Sequence, residues 1–157
     1  MTHIVDTNVA LKANGPDPSV SSEPSKHELD CWDASERFLD SIRESGRIAM
    51  DESGYIWEEY KRHMRWGGQL GAGHLFLRWV NDHQWNPAHC NQIAMAPFPG
   101  DPALKGFDPS DQKFVQVALA HPERPPILVS ADRVWPRFAA PLAAHGIRIE
   151  FLCPEHA

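Results

Sequence analysis

Hydrophobic and polar positions alternate along this chain in two rhythms. His3-Ile4-Val5 is a short β-prone run that ends in the polar turn Asp6-Thr7-Asn8, after which Val9-Ala10-Leu11 start a helical turn that Gly15-Pro16 stops. Residues 14 to 27, rich in Pro, Ser, Gly and Asp, predict an exposed loop. From Glu28 to Glu44, Leu29, Trp32, Leu39 and Ile42 recur at helical spacing with Phe38 alongside, and Gly46 supplies the stop. Ile48-Ala49-Met50 predicts a buried strand, followed by a helix capped by Asp51 or Ser53 that runs to about Arg65 and ends at Gly67-Gly68. A further helix is expected over Leu70 to Asp82.

The segment from Asn86 to Asp108 carries Pro87, Pro97, Pro99 and Pro102, which leaves room only for a brief strand at Gln92 to Met95. Asp108-Pro109-Ser110-Asp111 then reads as a helix start, with Asp at the cap and Pro in the first turn, and the helix runs to about His121. Ile127-Leu128-Val129-Ser130 is an unbroken run suited to a strand buried on both faces. A helix within Val134 to His145, accommodating Pro136 and Pro141, precedes Gly146 and a last strand, Ile147 to Leu152. Strands alternating with helices predict an α/β chain in three layers, α/β/α, around a mainly parallel sheet. Sites in such folds form beyond the carboxyl ends of the strands, and Asp6 and Asp132 each follow a strand directly.

Composition narrows the class. The 157 residues suit one domain, 1–157, and 42% hydrophobic with 23% charged residues is ordinary globular usage, so disordered and fibrous classes are set aside. No apolar run approaches the roughly 20 residues of a membrane span, and an acid at position 6 does not suit a secretory signal, so a cytoplasmic protein without membrane partners is expected. Cys31, Cys90 and Cys153 are odd in number and widely spaced, and are expected to be reduced thiols. His89 beside Cys90 lacks the further ligands a structural zinc needs. A net charge of −6 argues against coating nucleic acid through bulk positive charge. It leaves room for an enzyme that gathers carboxylates around a divalent cation.

Four segments carry the candidate chemistry: Ile4-Val5-Asp6-Thr7-Asn8-Val9, Trp57-Glu58-Glu59-Tyr60, Asp108 to Ala118 around Asp111, and Leu128-Val129-Ser130-Ala131-Asp132. In their order they resemble the PIN-domain ribonucleases over nearly the whole chain, including the compact VapC-type toxins. The resemblance implies that Asp6, Glu59, Asp111 and Asp132 are catalytic and coordinate Mg²⁺ or Mn²⁺, that a bound water is the nucleophile, and that single-stranded RNA is cleaved. It also implies a homodimer restrained by a small antitoxin. The Pro-rich stretch from Pro87 to Pro109 departs from the compact toxin pattern.

Each acid also has a structural reading. Asp6 and Asp132 can cap helices, Asp111 suits the positive end of a helix, and Glu58 and Glu59 are ordinary solvated helix residues; only their order and placement together favour a site. Geometry on the predicted helix sets Glu59 nearer the apolar arc than Glu58. Thr7, Asn8 and Ser130 are expected to support the carboxylates by hydrogen bonds, against an equal reading as local turn chemistry. Lys61, Arg62 and Arg65 are candidates for phosphate contacts, against a solvated face. Trp66, Trp79 and Trp85 offer rings for base stacking but are expected in the core or at an interface.

A dehalogenase-like phosphatase would want a second acid two residues after the first, where Asn8 stands, and a receiver domain would want paired acids at the first strand end. The rival from another class is a catalytically silent PIN-like module that binds RNA or protein.

Overall fold

The computed structural model describes residues 1–16, 22–63 and 71–153. Five strands form one parallel sheet: β1 (Thr2–Val5), β2 (Arg47–Asp51), β3 (Cys90–Ile93), β4 (Ile127–Val129) and β5 (Ile149–Phe151), in the order β3-β2-β1-β4-β5. All four pairings are parallel, with Ile4 and Val5 set against Ile127 and Leu128, and Thr2 and His3 against Arg47 and Ile48. Parallel strands require crossovers, supplied by α1 (Thr7–Ala13), α2 (Lys26–Ser45), α3 (Tyr55–His63), α4 (Ala72–His83), α5 (Gln112–Ala120) and α6 (Trp135–Ala144). The chain steps outward from β1 to β3, then returns to lay β4 on the other side of β1. Right-handed crossovers therefore put α2 and α4 on one face and α5 and α6 on the other, an α/β/α sandwich. In agreement, α1, α2 and α4 pack on one another, while α5 crosses β1, β2 and β4.

Local chemistry explains most boundaries. Ser25 and Glu28 close a capping box at the start of α2: each side chain accepts the other residue's amide, at 3.2 and 2.8 Å. Of the two caps the sequence offered for α3, Asp51 is the one used. Its carboxylate accepts the amides of Tyr55 (2.7 Å) and Ile56 (2.8 Å), and Gly54 turns the chain between them at φ 86°. The described part of α3 ends at His63, so the expected extension to Arg65 and the stop at Gly67-Gly68 lie outside the described residues. Asp108 begins not an α-helix but a 3₁₀ turn, Pro109–Asp111, which passes into α5 at Gln112.

Two expectations are corrected. The buried face of α2 is Cys31, Ser35, Leu39 and Ile42, and Leu29 is exposed. The second correction is that Cys31 and Cys153 are joined in a disulfide, leaving Cys90, buried in β3 beside Ile48 of β2, as the one free thiol. The bond fastens the chain beyond β5 to the first half of α2, on the face that also buries Ser35, Leu39 and Ile42.

The Pro-rich segment between β3 and α5 is an ordered strap. Phe98 stacks on Phe107, Phe107 meets the edges of Trp135 and Phe138, Leu104 is buried, and Asp101 pairs with His145 at 2.8 Å. It covers α6 and delivers the turn that carries Asp111.

Helices α1 and α4 approach so closely that a Cβ on Gly73 would lie 2.0 Å from the carbonyl oxygen of Ala10. Backbone cannot give way as a side-chain tip can. Gly73→Ala should therefore cost about 1–3 kcal/mol, whereas Gly100→Ala, where a Cβ meets nothing within 4 Å, should be close to neutral. Urea unfolding of the two variants checks this, and equal midpoints would mean that the helices separate freely.

Candidate functional site

The strand order reverses between β1 and β4, and in open parallel sheets the crevice at such a reversal is where ligands lie. Asp6 follows β1 and Asp132 stands beyond β4, so both arrive at this crevice. Register holds them there: the Asp6 amide donates to the Leu128 carbonyl at 3.0 Å. Glu59 comes from α3, which is fastened to the same strand end because the Tyr60 hydroxyl donates to the Val5 carbonyl at 2.6 Å. Asp111 comes from the turn before α5. A cleft of about 200 Å³ is lined by all four carboxylates, together with Thr7, Asn8, Leu11, His63, Asp108 and Ser110.

The surrounding residues orient these acids. Asn8 Nδ2 donates to Asp132 Oδ2 at 3.2 Å, while Oδ1 of Asp132 accepts the Val134 amide at 2.6 Å. Thr7 donates its hydroxyl to Glu59 Oε2, and Lys113 Nζ lies 2.7 Å from Glu59 Oε1. Ser130 is buried, but its hydroxyl has no hydrogen-bond partner among the described residues and does not reach a carboxylate. Glu59 is buried, whereas the side chain of Glu58 is 63% exposed and pairs with Lys61, so the helix turns the former into the cleft and the latter away.

Excess negative charge sets the electrostatics. Asp6 is 3% exposed and its Oδ2 has no partner among the described residues. Burial first, then Asp111, Asp132 and Glu59, push its pKa well above the usual carboxylate range. Asp111 is raised to about 7 by burial and by Asp108, Asp132 and Glu59, with Lys113 opposing. Asp108 differs: the Ser110 amide and hydroxyl hold its pKa down, which marks it as a cap.

These are hard oxygen donors of the kind a divalent cation takes, and the unpartnered Asp6 oxygen is the group most in need of one. Yet among the described residues no three His, Cys, Asp or Glu side chains are arranged to hold a metal ion as they stand. Both oxygens of Glu59 and both of Asp132 accept hydrogen bonds or an ion pair, which fixes these carboxylates without using all their lone pairs.

The expected substrate contacts are not brought to the cleft. Lys61 is occupied by Glu58 and lies over the Trp57 ring, neither it nor Arg62 is among the described lining residues, and Arg65 lies outside the described residues. Trp79 packs between Phe76 and His83, Trp85 is exposed, and Trp66 lies outside the described residues. Conversely, Lys113 and His63 were not anticipated. A lone Lys early in a helix gives no sequence signal, but His63, four residues after Glu59, shares its helical face and could have been found.

Among the described residues no helix is long and apolar enough to cross a membrane. No family model, curated protein or solved structure matches the chain.

Proposed function

We propose that this chain is a divalent-metal-dependent endoribonuclease of the PIN type, hydrolysing phosphodiester bonds of single-stranded RNA. One observation carries the reading: four acids from four distant segments line one cleft at the strand-order reversal, and the most buried of them has an unpartnered oxygen. Asp6 heads α1 without a formed side-chain cap, the Asn8 amide being the one backbone group that favours its charged form. Bound to the Asp6, Glu59, Asp111 and Asp132 carboxylates, Mg²⁺ or Mn²⁺ would supply Lewis acidity and a water able to lose its proton near neutral pH. The chain's own part is orientation: Asn8 and the Val134 amide fix Asp132, Thr7 fixes Glu59, and Tyr60 sets the depth of α3. The compact sheet also suits the toxin half of a toxin–antitoxin pair acting as a homodimer.

Hydrolysis of single-stranded RNA should stop in EDTA and return with Mn²⁺. Glu59→Gln should weaken Mn²⁺ binding and cleavage together, whereas Glu58→Gln should behave as a surface change. Activity that survives EDTA would defeat the reading. A second reading, a silent PIN-like module that binds RNA or protein, is favoured by the engagement of Glu59 with Lys113. It predicts no cleavage under either condition.

A further inference from the structure

Lys113 is paired with a carboxylate of this acidic cleft and carries no role in the proposed hydrolysis. Its ammonium lies 2.7 Å from Glu59 Oε1, with only 14% and 10% of the two side chains exposed, and it also donates to the Ser110 carbonyl. A lysine held this way has lost most of its hydration and its rotamer freedom, which is costly unless the partner charge requires it. The requirement is visible. Five carboxylates, those of Asp6, Glu59, Asp108, Asp111 and Asp132, line one cleft, Thr7 neutralises none of their charge, and Lys113 is the only Lys or Arg that bonds one of them among the described residues. Its single charge is directed to Glu59, while Asp6, deeper in the cleft, is left with a bare oxygen.

A divalent cation that took Glu59 as a ligand would bring two positive charges to the carboxylate that the ammonium already holds. At a few ångströms, like charges repel by about 1 kcal/mol in water and several times that in a partly buried site. Each cation therefore weakens the other's hold on this carboxylate. We infer that Lys113 is a displaceable internal counter-ion, which neutralises Glu59 in the metal-free protein and competes with the divalent cation for it. The inference rests on the metal-dependent reading and goes beyond it, because it assigns the metal affinity of the site to a residue that is not a ligand.

The test is Mn²⁺ binding to Lys113→Gln by calorimetry, alongside wild type and the charge-conserving Lys113→Arg. The glutamine variant is expected to bind Mn²⁺ at least tenfold more tightly, with a lower melting temperature in EDTA that recovers when the metal is added. Lys113→Arg should stay near wild type. Since the glutamine variant could fail to fold without metal, a second measurement uses wild type alone. The Lys113 side-chain ammonium signal in ¹⁵N NMR, protected from exchange while salt-bridged, should lose that protection when Mg²⁺ is added. Unchanged or weaker Mn²⁺ binding in Lys113→Gln, or an ammonium signal indifferent to saturating Mg²⁺, overturns the inference and leaves the nuclease reading intact. If neither wild type nor the glutamine variant binds Mn²⁺, both fall together.

Discussion

Asp6→Asn is expected to abolish hydrolysis, by roughly a thousandfold or more, while the melting temperature of the metal-free protein stays level or rises. The activity term follows from the proposed chemistry. Losing a central ligand removes about 4 kcal/mol or more of transition-state stabilisation, and each 1.36 kcal/mol is a factor of ten. The stability term follows from burial. Asp6 is raised by desolvation and by three neighbouring acids, so its charged form works against the folded state. An amide of the same shape removes that charge and adds a donor among carboxylates.

The sign of the pH dependence can be worked out for the same groups. A carboxyl whose folded pKa lies above its unfolded value contributes stability that is complete below the unfolded value, near 4, and is lost as pH rises through the folded one. For Asp111 that upper limit is about 7. The protein in EDTA should thus become less stable between about pH 4 and 7, and Asp6→Asn should flatten the fall. Thermal melts across that window read both effects. Wild-type turnover in Asp6→Asn would remove Asp6 from the chemistry, and a melting temperature several degrees lower would mark it as structural.

Reducing the Cys31–Cys153 bond, or replacing Cys31 with Ser, should destabilise the fold by about 2–5 kcal/mol. The two cysteines stand 122 positions apart, so the cross-link removes a large share of the unfolded chain's freedom; a chain-entropy account puts the effect near the top of that range. Native burial adds to it, since both cysteines are almost wholly enclosed and a Ser hydroxyl there would need a hydrogen-bond partner. Two measurements check this. Thiol counting on unfolded, unreduced protein should find one thiol, Cys90, rising to three after reduction. Urea midpoints with and without reductant should differ by the stated amount. Three thiols before reduction, or equal midpoints, would show that the bond does not form or does not matter.

The sheet was legible where its strands are short apolar runs bounded by turn residues, as at Ile4-Val5, Ile48-Ala49-Met50 and Ile127-Leu128-Val129, and less so at Cys90–Ile93, a mostly polar strand expected two residues later, at Gln92 to Met95. Helical phase gave Glu59 a slight preference over Glu58 as the residue nearer the apolar face, in agreement with the resemblance, and the first is buried while the second is exposed. What escaped depended on tertiary placement. Lys113 reads as a solvated helix residue until Glu59, more than fifty residues earlier, is folded against it. The pairing of Cys31 with Cys153 cannot be deduced from spacing, since three cysteines allow three pairings and none. The Pro-rich strap reads as irregular because proline forbids regular structure there, yet side chains order it: Phe98, Leu104 and Phe107 supply an apolar seam that no local pattern reports. Asp108 was a cap as expected, but of a 3₁₀ turn, a distinction the cap residue itself does not encode.

The strand order has a consequence for the growing chain on the ribosome. β1 is made first and is the middle strand, yet one of its two neighbours, Ile127–Val129, is made more than a hundred residues later. Until then β1, β2 and β3 can form only a half-sheet, with the apolar edge at Ile4 and Val5 open to any other strand it meets. Such an edge is a template for mispairing, and non-local parallel pairing is slow. The four carboxylates follow the same timetable: Asp6 and Glu59 emerge with the half-sheet, while Asp111 and Asp132 come only with the strands that complete it. By order of synthesis the crowding of charge in the cleft arises late, with the docking of β4 that also closes the vulnerable edge.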